Sequence, residues 1–295
     1  MTQSSSAPSS ATSTASATAS STTSVSAIAN SNTVRSDIND LLIERRGATL
    51  LLTFNRPGSR NALTFAMYRG LADAVKRIPD DPSIRVVVLI GAGGKAFAAG
   101  TDIAEFKSFS SADDAIAYEH SISQILSVLA NCTVPTIAAV AGACTGGGFG
   151  IASCCDLRLA TLDARFGVPI SRTLGNCLSL TSHARISALI GPARLADMII
   201  TARLFDAQEM RAAGLLTELV DTYEQLLTRA LALAETIATH APLTMQVTRE
   251  SLRLLQAPVD PVAEKALFLK AYQSHDFAEG VRAFLEKRKP NWTGR

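Results

Sequence analysis

AVAGACTGGGFGIASCCDLRLA occupies residues 139–160. It opens within one apolar run, TIAAVAG (136–142), and closes within another, CDLRLAT (155–161), and both read as buried strands. Between them stand three consecutive glycines, Gly146 to Gly148, followed by an apolar stretch with helical character. Glycine at such a junction lets another group come close to the backbone. A helix that begins there offers unbonded N–H groups and the positive end of its dipole, and both favour developing negative charge.

A second loop repeats the arrangement. FAAGTD (97–102) follows the apolar run RVVVLIG (85–91) and leads toward a further helical segment. Two such loops, if they converge, present a pair of main-chain donors to one oxygen, an oxyanion hole. From the residues alone, tight strand–helix turns packed against each other are the alternative.

The pattern extends outward on both sides. DLLIERRGATLLLTFNRP, from the residue-40 region to Pro57, predicts two strands around a turn at Arg46-Gly47. TFAMYRGLADAVKRI and DDAIAYEHSISQILSVLA (113–130) carry apolar residues at helical spacing, and from about residue 180 the chain reads as nearly all helical. Strand, helix and strand therefore recur in an α/β core with a helical C-terminal third. Residues 1–36 differ. The first 34 are almost all Ser, Thr and Ala without a charge, so the segment is expected to be a disordered tail. It lacks the arginines of a mitochondrial presequence and the basic start and apolar centre of a secretory signal.

Several function classes lose support. The 295 residues carry a net charge of +2 with no basic block, which gives no reason to expect a nucleic acid partner. The apolar runs are interrupted well short of a membrane span. Gly91-x-Gly93-x-x-Ala96 imitates a dinucleotide fingerprint, but another glycine follows before a helix can form, and the acidic residue expected about 20 positions on is missing. No P-loop, GxSxG elbow or HExxH motif is present. The five cysteines, Cys132, Cys144, Cys154, Cys155 and Cys177, have no metal-ligand spacing. They read as buried thiols of a reducing, cytoplasmic compartment, and no metal is expected.

FNRPGSRNAL (54–63), VVVLIGAGGKAFAAGTDIAEF (86–106), residues 138–160, AAGLLTELV (212–220) and DFAEGVRAFLEKRKPNW (276–292) together resemble the crotonase family, which includes enoyl-CoA hydratases and isomerases. The resemblance implies a spiral of ββα turns over 37–205, a helical C-terminal trimerisation region over 206–295, and a homotrimer or homohexamer. It implies an acyl-CoA thioester as substrate, with coenzyme A entering as part of that substrate and no separate cofactor. The thioester oxygen would be held by the N–H groups of Thr101 and Gly147. Ala62, Ala99, Asp102, Ile103, Gly146, Ile170 and Asn176 would fall along the substrate, with Asp102 read first as a cap of the following helix. Phe284 and Lys287 would reach coenzyme A on a neighbouring subunit.

The sequence departs from the family pattern at the acid/base positions. Gly150 and Ile170 stand where hydratases carry two glutamates. A positioned acid or base contributes about 10²–10⁴-fold, so other groups must move protons if this chain does so. His120 and Glu119, next to Tyr118, are candidates, with a solvated helix face as the alternative. Arg172 is a candidate for meeting a substrate carboxylate, Asn176 for orienting a water, and Cys177 for a thiol acid or a wall. Three readings stay open: an enoyl-CoA hydratase or isomerase; an acyl-CoA decarboxylase or hydrolase, supported by Arg172; and a non-catalytic acyl-CoA binding protein, supported by the two missing carboxylates.

Overall fold

Gly47 adopts φ +60°, a value that suits glycine, and it turns strand β1 (Leu41–Arg46) back onto β2 (Thr49–Phe54) as an antiparallel pair. The structure is a computed structural model. It describes residues 39–108, 112–173, 175–255, 274–276, 279, 282–283, 286 and 288–295. The tail expected over 1–36 lies outside the described residues.

Helix α1 (Phe65–Lys76) follows, capped by the Thr64 hydroxyl, which accepts the N–H of Met67. Three ββα turns come next. The first is β3 (Val86–Gly91), β4 (Ala96–Ala98) and α2 (Ala112–Ala130), with a 3₁₀ segment over Ile103–Ser108 before the helix. The second is β5 (Thr136–Val140), β6 (Ala143–Thr145) and α3 (Gly147–Cys154). The third is β7 (Leu157–Thr161), β8 (Arg165–Gly167) and the short α4 (Ile170–Thr173). In each turn the first strand joins one sheet and the second strand joins another.

After α5 (Leu180–Ile190) and α6 (Pro192–Ile200) comes β9 (Phe205–Asp206). Then follow α7 (Ala207–Ala212), β10 (Glu218–Val220), α8 (Tyr223–Ala238) and α9 (Pro242–Leu254). The larger sheet has the order β1-β2-β3-β5-β7-β10 and the smaller one β4-β6-β8-β9. Among the described residues of the C-terminal third, the regular elements are helices apart from β9 and β10, which return to the two sheets. At two and three residues they are too short to show the alternation that marks a strand in a sequence.

Every residue of β3 is buried, because the larger sheet is covered on both faces. Val87 and Leu89 face the main core with Phe54, Leu63 and Phe149. Val86, Val88 and Ile90 point the other way, onto Leu226, Ala230, Ala234 and Ile237 of α8. Those four residues form a helical stripe, and replacing a fully buried leucine such as Leu226 by alanine costs about 2–5 kcal/mol. Helix α9 is held from below: Arg249 Nε lies 2.7 Å from Asp156 Oδ1, whose other oxygen accepts from Thr136 N–H and Oγ–H. At the C-terminus, Asp276 accepts from Thr293 and Gly294, and Glu279 from Arg288 and the N–H of Asn291.

The cysteine reading needs one correction. Cys132, Cys144, Cys154 and Cys155 are buried, and Cys177 is exposed. Burial pushes the Cys154 thiol up to about 11. Cys177 lies between α4 and α5, on a stretch outside regular secondary structure.

Candidate active site

The two glycine loops converge because small residues let them touch. The Thr145 hydroxyl donates to Ala99 O at 2.9 Å, pinning one loop to the other. A Cβ added at Gly148 would lie 2.1 Å from Ala98 O, so the start of α3 packs directly on β4. The buried Asn61 fixes the third partner, the loop before α1. Its amide accepts the N–H of Arg56 and donates to Ala92 O and Ala96 O. Leu63 then runs beside Thr101 as a parallel bridge, its N–H donating to Gly100 O and its carbonyl accepting from Asp102 N–H.

That bridge orients Thr101. With the flanking groups of Gly100 and Asp102 turned toward Leu63, the N–H of Thr101 itself faces the opposite side. Gly147 is the first residue of α3, where a helix leaves its N–H groups unbonded. Among the described residues, no backbone carbonyl engages the N–H of Thr101 or of Gly147.

Both residues line a cleft of about 190 Å³. Ala99, Ile103, Gly146, Ile170, Asn176 and Cys177 line it too, as does Glu119. Its apolar wall includes Phe106, Ile122, Leu126, Val168, Leu178 and Ile186. Gly150 and Ile170 both face this cleft, and neither supplies a carboxylate. Glu119 is the one acid among the described lining residues, and burial raises its pKa above the usual glutamate value.

Other candidates fall elsewhere. His120 is exposed on the outer face of α2 with its ring Nε2 3.5 Å from the Gln124 amide, and Arg172 is exposed; neither lines the cleft. Ala62 does not line it either, and its carbonyl accepts from Arg56. Asp102 braces the loop. One carboxylate oxygen accepts the N–H of Ala104 at 3.1 Å, and the other pairs with Arg56 at 2.8 Å. Phe284 and Lys287 lie outside the described residues.

Two tyrosines complete the wall. The Thr101 hydroxyl is shared between Tyr68 and Tyr118, at 3.0 Å each. Burial raises both phenols above their ordinary value of 10.0, Tyr68 the more, and the nearby Tyr118 adds to the rise at Tyr68. Sequence reading missed Tyr68. Its place among Met67, Leu71 and Val75 on the buried face of α1 was the available signal, since a phenol buried in an apolar stripe must find a polar partner.

The sequence pattern of the enoyl-CoA hydratase/isomerase family matches residues 44–295. The chain belongs to this family. Its fold is the crotonase fold: the crystal structure of an enoyl-CoA hydratase/carnithine racemase from Magnetospirillum magneticum superposes with a TM-score of 0.81 at 36% identity, covering 88% of this chain and 97% of that one. The enoyl-CoA hydratase EchA19 of Mycobacterium tuberculosis is 36% identical over 262 residues, 87% of this chain and 97% of the relative. The 2,3-dehydroadipyl-CoA hydratase of Escherichia coli is 34% identical over 263 residues, 88% of this chain and 100% of the relative. As a member of the enoyl-CoA hydratase/isomerase family the chain is an acyl-CoA enzyme. No helix among the described residues is long and apolar enough to cross a membrane.

Proposed function

We propose that the protein forms and stabilises a thioester enolate, with the carbonyl oxygen of an acyl-CoA accepting from the N–H groups of Thr101 and Gly147. One observation carries this reading: two main-chain donors that no backbone carbonyl among the described residues engages open onto one apolar-walled cleft, in a chain of this family. Such donors act mainly on charge that develops in the transition state, and each is worth about 2.7–4 kcal/mol there. The apolar wall suits the acyl chain of the thioester.

Glu119 is the group assigned to the α-proton. Hydration needs a water activated and a proton delivered, which the two glutamates of typical hydratases share. One carboxylate suits a reaction that lifts a proton from one carbon and returns it to another, so double-bond isomerisation of an enoyl-CoA is the favoured reaction. The decarboxylase or hydrolase reading leans on Arg172, which is exposed and outside the cleft lining, and that placement favours isomerisation over it. A pure binding protein has little use for paired donors directed at one oxygen.

The test is mass spectrometry of short, long, malonyl-type and aryl acyl-CoA thioesters after incubation in deuterated water. Isomerase-type action incorporates deuterium by α-proton exchange and shifts the double bond, with no gain or loss of water, CO₂ or CoA. Addition of water to the enoyl-CoA moves the assignment to hydratase. Thioesters that bind but neither exchange nor react overturn the enzymatic reading. The homotrimer or homohexamer belongs to the same reading, and sedimentation velocity tests it.

A further inference from the structure

The hydroxyls of Tyr68, Thr101 and Tyr118 form a chain of three oxygens joined by two hydrogen bonds of 3.0 Å. Each hydroxyl carries one proton. Two bonds use two protons, and when the chain runs from Tyr118 through Thr101 to Tyr68 the third proton is the one on Tyr68, free to point outside the chain. Tyr68 is the end of the chain nearest the paired donors. It is 1% exposed, it lines the cleft, and its hydroxyl lies where a side chain on Gly147 would go, 2.0 Å from the position of an added Cβ. Phenylalanine would fill the same apolar stripe on α1 without the cost of taking a hydroxyl out of water. A phenol in this place needs a use.

The geometry points to Tyr68 as a catalytic residue that gives a third hydrogen bond to the thioester oxygen beside the N–H groups of Thr101 and Gly147. Thr101 and Tyr118 set the direction of that bond by accepting and donating behind it. The raised pKa of both phenols agrees with this, because each stays protonated and acts as a donor across the working pH range. A neutral phenol also leaves the enolate charged until Glu119 returns a proton to carbon. The inference rests on the acyl-CoA reading above.

Acetoacetyl-CoA provides the test, since its bound enolate is visible by absorbance without turnover. The intact protein is titrated with pH in the presence of this thioester, and the same is done with Tyr68→Phe. The expected result is binding by both, with about tenfold to a hundredfold less enolate in the variant at a given pH. The kcat for α-proton exchange falls in parallel, with KM nearly unchanged. Fluorotyrosine incorporated at Tyr68 strengthens the donor and moves the enolate midpoint the opposite way, which keeps the test open if Tyr68→Phe folds poorly. Equal enolate fractions in wild type and Tyr68→Phe overturn the third donor and leave the acyl-CoA reading standing. Failure of the wild type to bind acetoacetyl-CoA overturns both.

Discussion

The Tyr68 hydroxyl and the Cα of Gly147 exclude a side chain from each other's space. A Cβ at position 147 would stand 2.0 Å from that hydroxyl and 3.3 Å from the ring carbon bearing it. Gly147→Ala therefore pushes Tyr68 out of its hydrogen bond with Thr101 and costs about 1–3 kcal/mol as an overpacked contact. Tyr68→Phe removes the clashing atom, so the double variant recovers most of that loss. Urea unfolding of both single variants and the double one measures the coupling. Additive losses would show that the two residues do not meet as described.

Gly150 has the opposite surroundings. An added Cβ meets nothing closer than Leu126 Cδ1 at 3.6 Å, which is ordinary contact, and the position faces the cleft. Gly150→Glu thus starts a carboxylate-bearing side chain at the cleft wall from a Cβ position that is free of clashes. Hydration of a short enoyl-CoA is expected to rise at least about tenfold, the lower part of what a positioned acid or base contributes. Adding Ile170→Glu raises it further at a cost in stability, because Ile170 is buried. Loss of enoyl absorbance reads the rate. No gain from either glutamate would remove the cleft as the site of chemistry.

Arg158 governs the far end of the glycine helix. It is 5% exposed, and its guanidinium donates to the carbonyls of Leu215, Ala152, Cys155 and Asp156, two of them at the end of α3. Burial lowers its pKa, and the four carbonyls hold the cation there; no carboxylate among the described residues forms an ion pair with it. Arg158→Met leaves those acceptors without this donor and is expected to cost roughly 3 kcal/mol. Arg158→Lys keeps the charge but not the fork, and recovers only part of it. Chemical denaturation of the two variants distinguishes them, and equal stability of Met and wild type would refute the assignment.

The sheets were readable in the sequence where strands are long and apolar. The run 86–91 and the turn at Gly47 announced themselves through composition, and the run 136–140 did the same. The smaller sheet did not, because β4, β6 and β8 have three residues each and no periodicity to detect. The glycine loops were legible, since close packing of backbone on backbone demands glycine wherever it occurs. The cleft's polar wall was less so. Glu119 and His120 are neighbours in sequence, yet successive helical residues project about 100° apart. Glu119 meets the cleft and His120 meets solvent. Tyr68 joins Thr101 across 33 positions of chain, a contact that no local pattern encodes.

Glu119 carries the expected pH dependence. Burial raises its folded-state pKa above the reference value of 4.5, so folding favours its protonated form. The stabilisation from this group is full below the unfolded pKa and is lost as pH rises through the folded one. Glu119→Gln removes that loss, so the variant gains stability relative to wild type as pH rises from about 4.5. Catalysis moves in the other direction. A carboxylate base must be ionised, so the rate of α-proton exchange in wild type climbs with pH through the raised pKa. In Glu119→Gln the rate is lower and that limb is absent. Exchange rates and unfolding midpoints over the same pH series check both halves, and an unchanged limb in the variant would assign the proton to another group.

Cys177 supplies an internal probe of the cleft. It is exposed and lines the cleft, whereas the other four cysteines are buried. Thiol alkylation depends on access of reagent to the thiolate, so N-ethylmaleimide under native conditions is expected to add once, at Cys177. All five cysteines react after denaturation. On the proposed seating against Thr101 and Gly147, an acyl-CoA runs past the wall that holds Cys177, and it is expected to slow the native reaction in proportion to occupancy. Peptide mapping locates the adduct, and its rate with and without thioester gives the protection. Alkylation at full rate under saturating acyl-CoA would place the acyl chain outside this cleft.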